Sequence, residues 1–216
     1  MKSLARKEKA RAARCKEGSR ERILGAAARA FAEAGFDGAR VDEIARLAGV
    51  NKAMLYYHVG NKAKLHEAVL MRWMDELFAE IGRAIAPGMS PEDKIPALAS
   101  ALESLAKKRP HYPQILLREL AAGGRQLPRS VLARMASLIE FEGTILEDGR
   151  RLGRFRPCNP ITLHVLLVSG TVMHLMAASL GERARRAGIA GIPRPPANSS
   201  RLITEILLNG LKETPK

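Results

Sequence analysis

The chain has 216 residues, 46% apolar and 27% charged, values that permit a buried core and exclude a wholly disordered or fibrous chain. Cys15 and Cys158 are the only cysteines, which leaves no disulfide scaffold and no ligands for a CxxC-type zinc or redox site. The net charge is +14, and residues 1–66 alone hold 15 basic against 7 acidic residues; a basic end points to a polyanion, either nucleic acid or an anionic membrane.

The opening stretch MKSLARKEKARAARCKEGSR has charge but no apolar centre, so a secretory leader is not expected and the expected compartment is the cytoplasm. Lys2, Arg6, Lys7, Lys9, Arg11, Arg14 and Lys16 make residues 1–18 a basic arm, read as flexible. It is either a minor-groove contact or a solvated tail. Beyond it, apolar spacing is helical nearly everywhere and alternating strand patterns are absent, which predicts an all-α protein.

The first helix is predicted over 19–34, with Ser19 as N-cap, Ile23, Ala27, Phe31 and Ala34 on one face, and Gly35 as its end. A short helix follows at 42–48, closed by Gly49 in the left-handed conformation. Another runs over 52–58 with Asn51 as N-cap. In the long helix predicted from 61 to 86, Leu65, Val69, Trp73, Leu77, Ile81 and Ile85 recur every four residues until Pro87 stops it. Further helices fit 91–108, 112–122, 128–152, 160–181 and 198–212, and residues 183–197 read as a loop rich in Gly, Pro and Arg. Pro157 to Gly181 contains no formally charged residue and is long enough to span a bilayer. Its Asn, Thr, Ser and His residues and basic flanks favour a helix buried in an oligomer interface, so no membrane partner is expected.

The informative stretch is VDEIARLAGVNKAMLYYHVGNKAKL, residues 41–65. Ile44, Leu47 and Ala48 are expected on the inner face of the first short helix, Gly49 supplies the turn, Val50 fills the corner, and Leu55 anchors the second helix. This leaves Asn51, Lys52, Ala53, Met54, Tyr56, Tyr57 and His58 for the outer or edge positions. An α-helix fits the major groove by width and depth.

The combination of Ala-Gly-Val, Leu-Tyr-Tyr-His and Asn-Lys, with the lead-in AFAEAGFDGARVDEIARLAGV, resembles the DNA-binding domain of the tetracycline-repressor (TetR) family of transcriptional regulators over residues 19–79. The resemblance implies a three-helix helix-turn-helix domain at 19–79 and a larger C-terminal helical bundle at 80–216 for ligand sensing and dimerisation. It implies phosphate contacts by Tyr56, His58 and Lys62, and base-edge positions at Asn51, Lys52, Ala53 and Met54. Lys52 then donates to guanine O6 or N7, while Ala53 and Met54 meet a thymine methyl. Tyr57 either joins this surface or packs on the first helix. Arg40 stands where the family often has a capping Ser or Thr, so the cap weakens while Arg40 holds phosphate by charge. Val59 replaces the usual Phe, and Gly60 and Lys64 also depart from the common pattern.

No catalytic set, phosphate-cradling Gly loop or cofactor motif stands out, and no metal site is expected, His164 and His174 having no carboxylate near them in sequence. Glu140, Glu142, Glu147 and Asp148 read as the polar face of the 128–152 helix. The family implies a small-molecule effector; Trp73, Leu77, Met135, Phe141, His164 and Met173 are the candidate liners of its pocket. It further implies a homodimer, placed on the helices near 160–181 and 198–212, with Ile203, Ile206, Leu207 and Leu211 as the stripe of the last. The expected function is a ligand-responsive regulator, most naturally a repressor of a palindromic double-stranded DNA operator. The alternatives are a sequence-independent architectural nucleic-acid binder and a small membrane-associated protein.

Overall fold

The computed structural model describes the backbone of residues 2–193 and 199–212 and the side chains of 17–193 and 200–212. The side chains of the basic arm, Cys15 among them, lie outside the described residues, as does part of the loop predicted over 183–197. Among the described residues the elements are α1 (Lys2–Gly38), α2 (Val41–Ala48), α3 (Lys52–Val59), α4 (Lys62–Ala84), α5 (Pro91–Lys108), α6 (His111–Ala121), α7 (Arg129–Arg151), α8 (Pro160–Arg186) and α9 (Ser199–Leu211). No strand occurs among them; the one extended pairing is an isolated bridge between Phe155 and Lys212. The protein is all-α, with an N-terminal helix-turn-helix and a C-terminal helical domain.

Two expectations about helix ends are corrected. Helix α1 is already formed before Ser19, so Ser19 is not its N-cap; the residue is buried and its hydroxyl accepts from Arg22 Nη2 at 3.3 Å. The Ala, Lys, Arg and Glu residues that precede it are good helix formers. Helix α8 continues past Gly181 into the expected loop. Glu182 accepts from Arg185 at 2.8 Å and from Arg186 at 3.2 Å, and arginines in the last turn suit the negative end of the helix.

The chain forms two compact units. The first holds residues up to Trp73 together with Pro110–Leu132. Its core contains Ile23, Leu24, Ala27, Phe31, Ile44, Leu55, Leu65 and Ile115. At Gly35 (φ 71°, ψ −179°) α1 breaks, as expected, leaving Ala34 exposed rather than in the core. Carbonyls near a helix end lack partners within the helix. Here Arg118 of α6 supplies them, donating to Ala32 O at 2.8 Å and to Glu33 O at 2.9 Å.

The second unit holds Met74–Arg109 and the residues from Ala133 on. Ile95, Leu98, Ala99, Leu102 and Leu105 of α5, with Leu163, Leu167 and Val172 of α8, are buried in it, and α5 packs against both α8 and α9. Phe155 folds back over Gly149, where a Cβ would lie 2.0 Å from its ring. Glu142 is not on a polar face, as the sequence predicts: it is 3% exposed and lies 3.1 Å from His164 Nδ1. A buried carboxylate needs such a partner.

The outer side of α8 is apolar. Ile161, Val165, Leu166, Met173, Met176 and Leu180 are all exposed, and so are Leu202 and Ile206 of α9. By length and composition α8 could cross a membrane.

Candidate nucleic-acid interface

The turn between α2 and α3 is built from three local choices. Gly49 takes φ 65°, ψ 38°, a left-handed conformation in which a Cβ crowds the backbone. In that conformation the Gly49 and Val50 amides donate to the carbonyls of Arg46 and Ala45 at 3.2 and 3.0 Å. Arg22 of α1 adds a further bond, from Nε to Ala48 O at 3.2 Å. Asn51 then starts α3: its Oδ1 accepts from the Met54 amide at 2.7 Å, a side-chain cap of the kind that stabilises a helix start by about 1 kcal/mol.

The faces separate cleanly. In α2, Ile44, Ala45 and Ala48 are buried. Leu47, expected on this inner face, is 38% exposed; at about 100° per residue it falls roughly 60° beyond the edge of the arc that 44, 45 and 48 occupy. In α3, Leu55 and Val59 are buried, while Asn51, Lys52, Ala53, Met54, Tyr56 and Tyr57 are exposed and His58 is half-buried. Tyr57 is 74% exposed and meets the His58 ring edge-on at 5.6 Å. The seven sequence-predicted residues of this stretch share one small helix and its cap. Arg40 sits at the start of α2 without making a side-chain cap bond, which matches the expected weakening and leaves its guanidinium on the surface.

Two cations on this surface have partners that sequence spacing does not reveal. Lys52 Nζ is 2.8 Å from Asp42 Oδ1, and the hydrogen bond to that carboxylate, with its charge, raises the lysine pKa. Lys62, expected as a phosphate contact, donates from Nζ to Asp37 O at 3.0 Å and lies 5.0 Å over the Phe36 ring. An ammonium has three donors, so Lys62 pins the end of α1 while it keeps donors for a phosphate.

Behind the surface, His66 of α4 lies between Phe31 and Phe36, with ring centroids 4.8 and 5.1 Å away. Its Nε2 is 3.3 Å from Glu119 Oε1. Burial, helped by the nearby Lys62 charge, pushes the histidine pKa down to about 4, and burial pushes Glu119 up. Both shifts favour the neutral forms.

The candidate effector liners fall in both units. Trp73 is buried in the first unit and stacks on Tyr112 at 6.2 Å. In the second unit Leu77 is buried, Met135 and Phe141 are half-buried, and His164 pairs with Glu142. Met173 is 53% exposed on the outer side of α8.

A basic chain that displays a capped, eight-residue helix beyond a left-handed glycine turn has the form of a helix-turn-helix DNA-binding regulator. Residues 23–69 match the family described as bacterial regulatory proteins, tetR family. The HTH-type transcriptional regulator RutR of Escherichia coli O157:H7 is 28% identical over 149 residues, 69% of this chain and 70% of RutR. The HTH-type transcriptional repressor NicS of Pseudomonas putida strain KT2440 is 27% identical over 78% of this chain and 85% of its own. Among solved structures, AibR in complex with isovaleryl coenzyme A and operator DNA shares the fold, with a TM-score of 0.64 at 17% identity over 90% of this chain and 98% of its own. Together these likenesses support a regulator of the tetR family.

Proposed function

We propose that the protein is a ligand-responsive repressor that binds a palindromic operator as a homodimer and leaves it when a small molecule binds. The observation that carries this reading is the exposed row Lys52, Ala53, Met54, Tyr56 and Tyr57 over the buried Leu55 and Val59. In this reading α3 enters the major groove, where Lys52 donates to guanine and Ala53 and Met54 meet thymine methyls. Arg40, Tyr56, His58 and Lys62 hold phosphates, with Asn51 and Tyr57 at the edge of the contact. The Asn51 cap occupies its side-chain oxygen, so only its NH2 is offered to DNA. Phosphate contacts set register and base contacts set sequence.

In this reading residues 19–79 act as the DNA-binding domain and 80–216 as the sensing and dimerisation domain, with residues 1–18 as an arm, although Pro110–Leu132 packs within the first unit. The apolar outer sides of α8 and α9 support pairing with a second copy, since exposed patches of this kind mark interaction surfaces, and two-fold pairing presents two reading helices to a two-fold operator. Effector binding favours a state in which α4 tilts and the heads no longer match the operator spacing; the effect is bounded by the effector's differential affinity for the two states. NicS is a repressor by name, and AibR was solved with both a coenzyme A ester and operator DNA; both support the scheme. A regulator working on DNA in this way is cytoplasmic and needs no catalytic residues.

Selection of bound duplexes from a random pool tests the reading. It predicts a consensus of two symmetry-related half-sites. Recovery of sequences without a consensus would instead favour the architectural binder that the +14 charge also permits.

A further inference from the structure

We propose that Asp42 is a positioning residue that sets specificity: its carboxylate holds the Lys52 ammonium, so that the lysine brings hydrogen-bond donors to the DNA-facing surface without a free positive charge. The inference rests on the reading of α3 as the base-facing helix and assigns a role within that site to a residue of the neighbouring helix.

Lys52 is the first residue of α3, whose first turn contains no acidic residue. A helix N-terminus already carries partial positive charge, and an unpaired ammonium there would attract any phosphate of any sequence. Asp42 lies in the first turn of α2, ten residues earlier, yet its Oδ1 is 2.8 Å from Lys52 Nζ. The adjacent Glu43 differs: its partner is Arg46 of its own helix, at 3.9 Å. Of the two carboxylates that open α2, Asp42 is the one that bridges to α3.

Both partners are exposed, 53% for Lys52 and 73% for Asp42, and an exposed ion pair adds little stability. DNA can therefore compete for the ammonium, and its two kinds of acceptor compete unequally. Moving Lys52 onto a phosphate strands the Asp42 carboxylate beside a polyanion. Guanine O6 and N7 carry no net charge, so one ammonium N–H can stay on Asp42 while the others reach the base. The pair thus weights Lys52 toward bases and away from backbone.

The test measures binding to the selected operator and to a random duplex across a salt series. The variants are Asp42→Asn and Glu43→Gln, each in the wild-type and Lys52→Ala backgrounds, with Asp42→Glu as the conservative control. Asp42→Asn is expected to tighten random-duplex binding by roughly three- to tenfold and to steepen the log–log salt slope by about one. The operator-to-random ratio falls accordingly. Glu43→Gln, the same change in net charge, moves the slope by less than half as much, Asp42→Glu restores the wild-type slope, and Lys52→Ala abolishes the Asp42→Asn effect. Equal effects of Asp42→Asn and Glu43→Gln, or an Asp42→Asn effect undiminished in the Lys52→Ala background, would overturn the proposal. A wild-type pool that yields no consensus would instead sink the reading of α3 on which it rests.

Discussion

Met54 and Met173 are two methionines of similar exposure, 43% and 53%, on helices of opposite character. Met54 sits on an eight-residue helix with a side-chain cap, whose other exposed residues include Lys52, Tyr56 and Tyr57. Met173 sits on a 27-residue helix whose other exposed side chains include Ile161, Val165, Leu166, Met176 and Leu180. Exposure of an apolar side chain says only that a partner is possible; the chemistry of its neighbours says which one. The first surface suits a polyanion with apolar methyls in its groove, and the second suits another apolar helix.

The largest effect expected is on the α8 side. Met173→Asp should weaken dimerisation about a thousandfold, because each copy would bury an unpaired carboxylate at a cost of several kcal/mol; analytical ultracentrifugation checks this. Operator affinity falls with the dimer while the monomer keeps its helicity. A Met173→Asp dimer of unchanged strength would remove the contrast between the two surfaces.

Within α3 the contrast runs between neighbours. Leu55 is fully buried, so Leu55→Ala should cost about 2–5 kcal/mol in denaturant unfolding. Met54→Ala should stay within about 0.5 kcal/mol while altering the selected sequence at one position per half-site.

A pH effect belongs to the core behind this surface. His66 titrates near 4 in the fold against 6.5 ordinarily. Its lowered value means the unfolded chain binds the proton first. Its contribution is fully present above pH 6.5 and is lost as pH falls toward about 4. The loss is on the order of 3 kcal/mol, since one pKa unit corresponds to about 1.4 kcal/mol. Glu119, raised by burial, acts in the opposite sense: its contribution is present at low pH and is lost as pH rises through its elevated value. His66→Gln should flatten the acid loss in unfolding free energy between pH 6.5 and 4. An unchanged pH profile would contradict the burial argument.

The smallest effect tests the double role of Lys62. Lys62→Ala should lower the salt slope by about one and destabilise the first unit by about 1 kcal/mol through loss of the Asp37 bond. Destabilisation without a change of slope would leave Lys62 as a strut only.

Local pattern carried much of this. Apolar periodicity predicted each helix from α2 to α9, with small errors at the ends apart from the C-terminal end of α8, because a cap such as Asn51 and a stop such as Pro87 act within a few residues. The outer residues of α3 were legible for the same reason: a 3.6-residue period with Leu55 inside puts Ala53, Met54, Tyr56 and Tyr57 outside. Contacts set by tertiary folding were not legible. Nothing in a window of ten residues tells that Asp42 meets Lys52, that Arg118 closes the end of α1 across 86 positions, or that Glu142 turns inward to His164. Leu47 went astray because the buried arc of α2 is set by what packs on it, not by hydrophobicity alone.

The contrast between Met54 and Met173 can be read in one alkylation experiment. In a Cys15→Ser, Cys158→Ser background, Met54→Cys and Met173→Cys are labelled with and without the selected operator. The account predicts that DNA slows labelling at position 54 at least tenfold and leaves position 173, which the proposed second copy would cover, unchanged. Protection at 173 by DNA with none at 54 would contradict it.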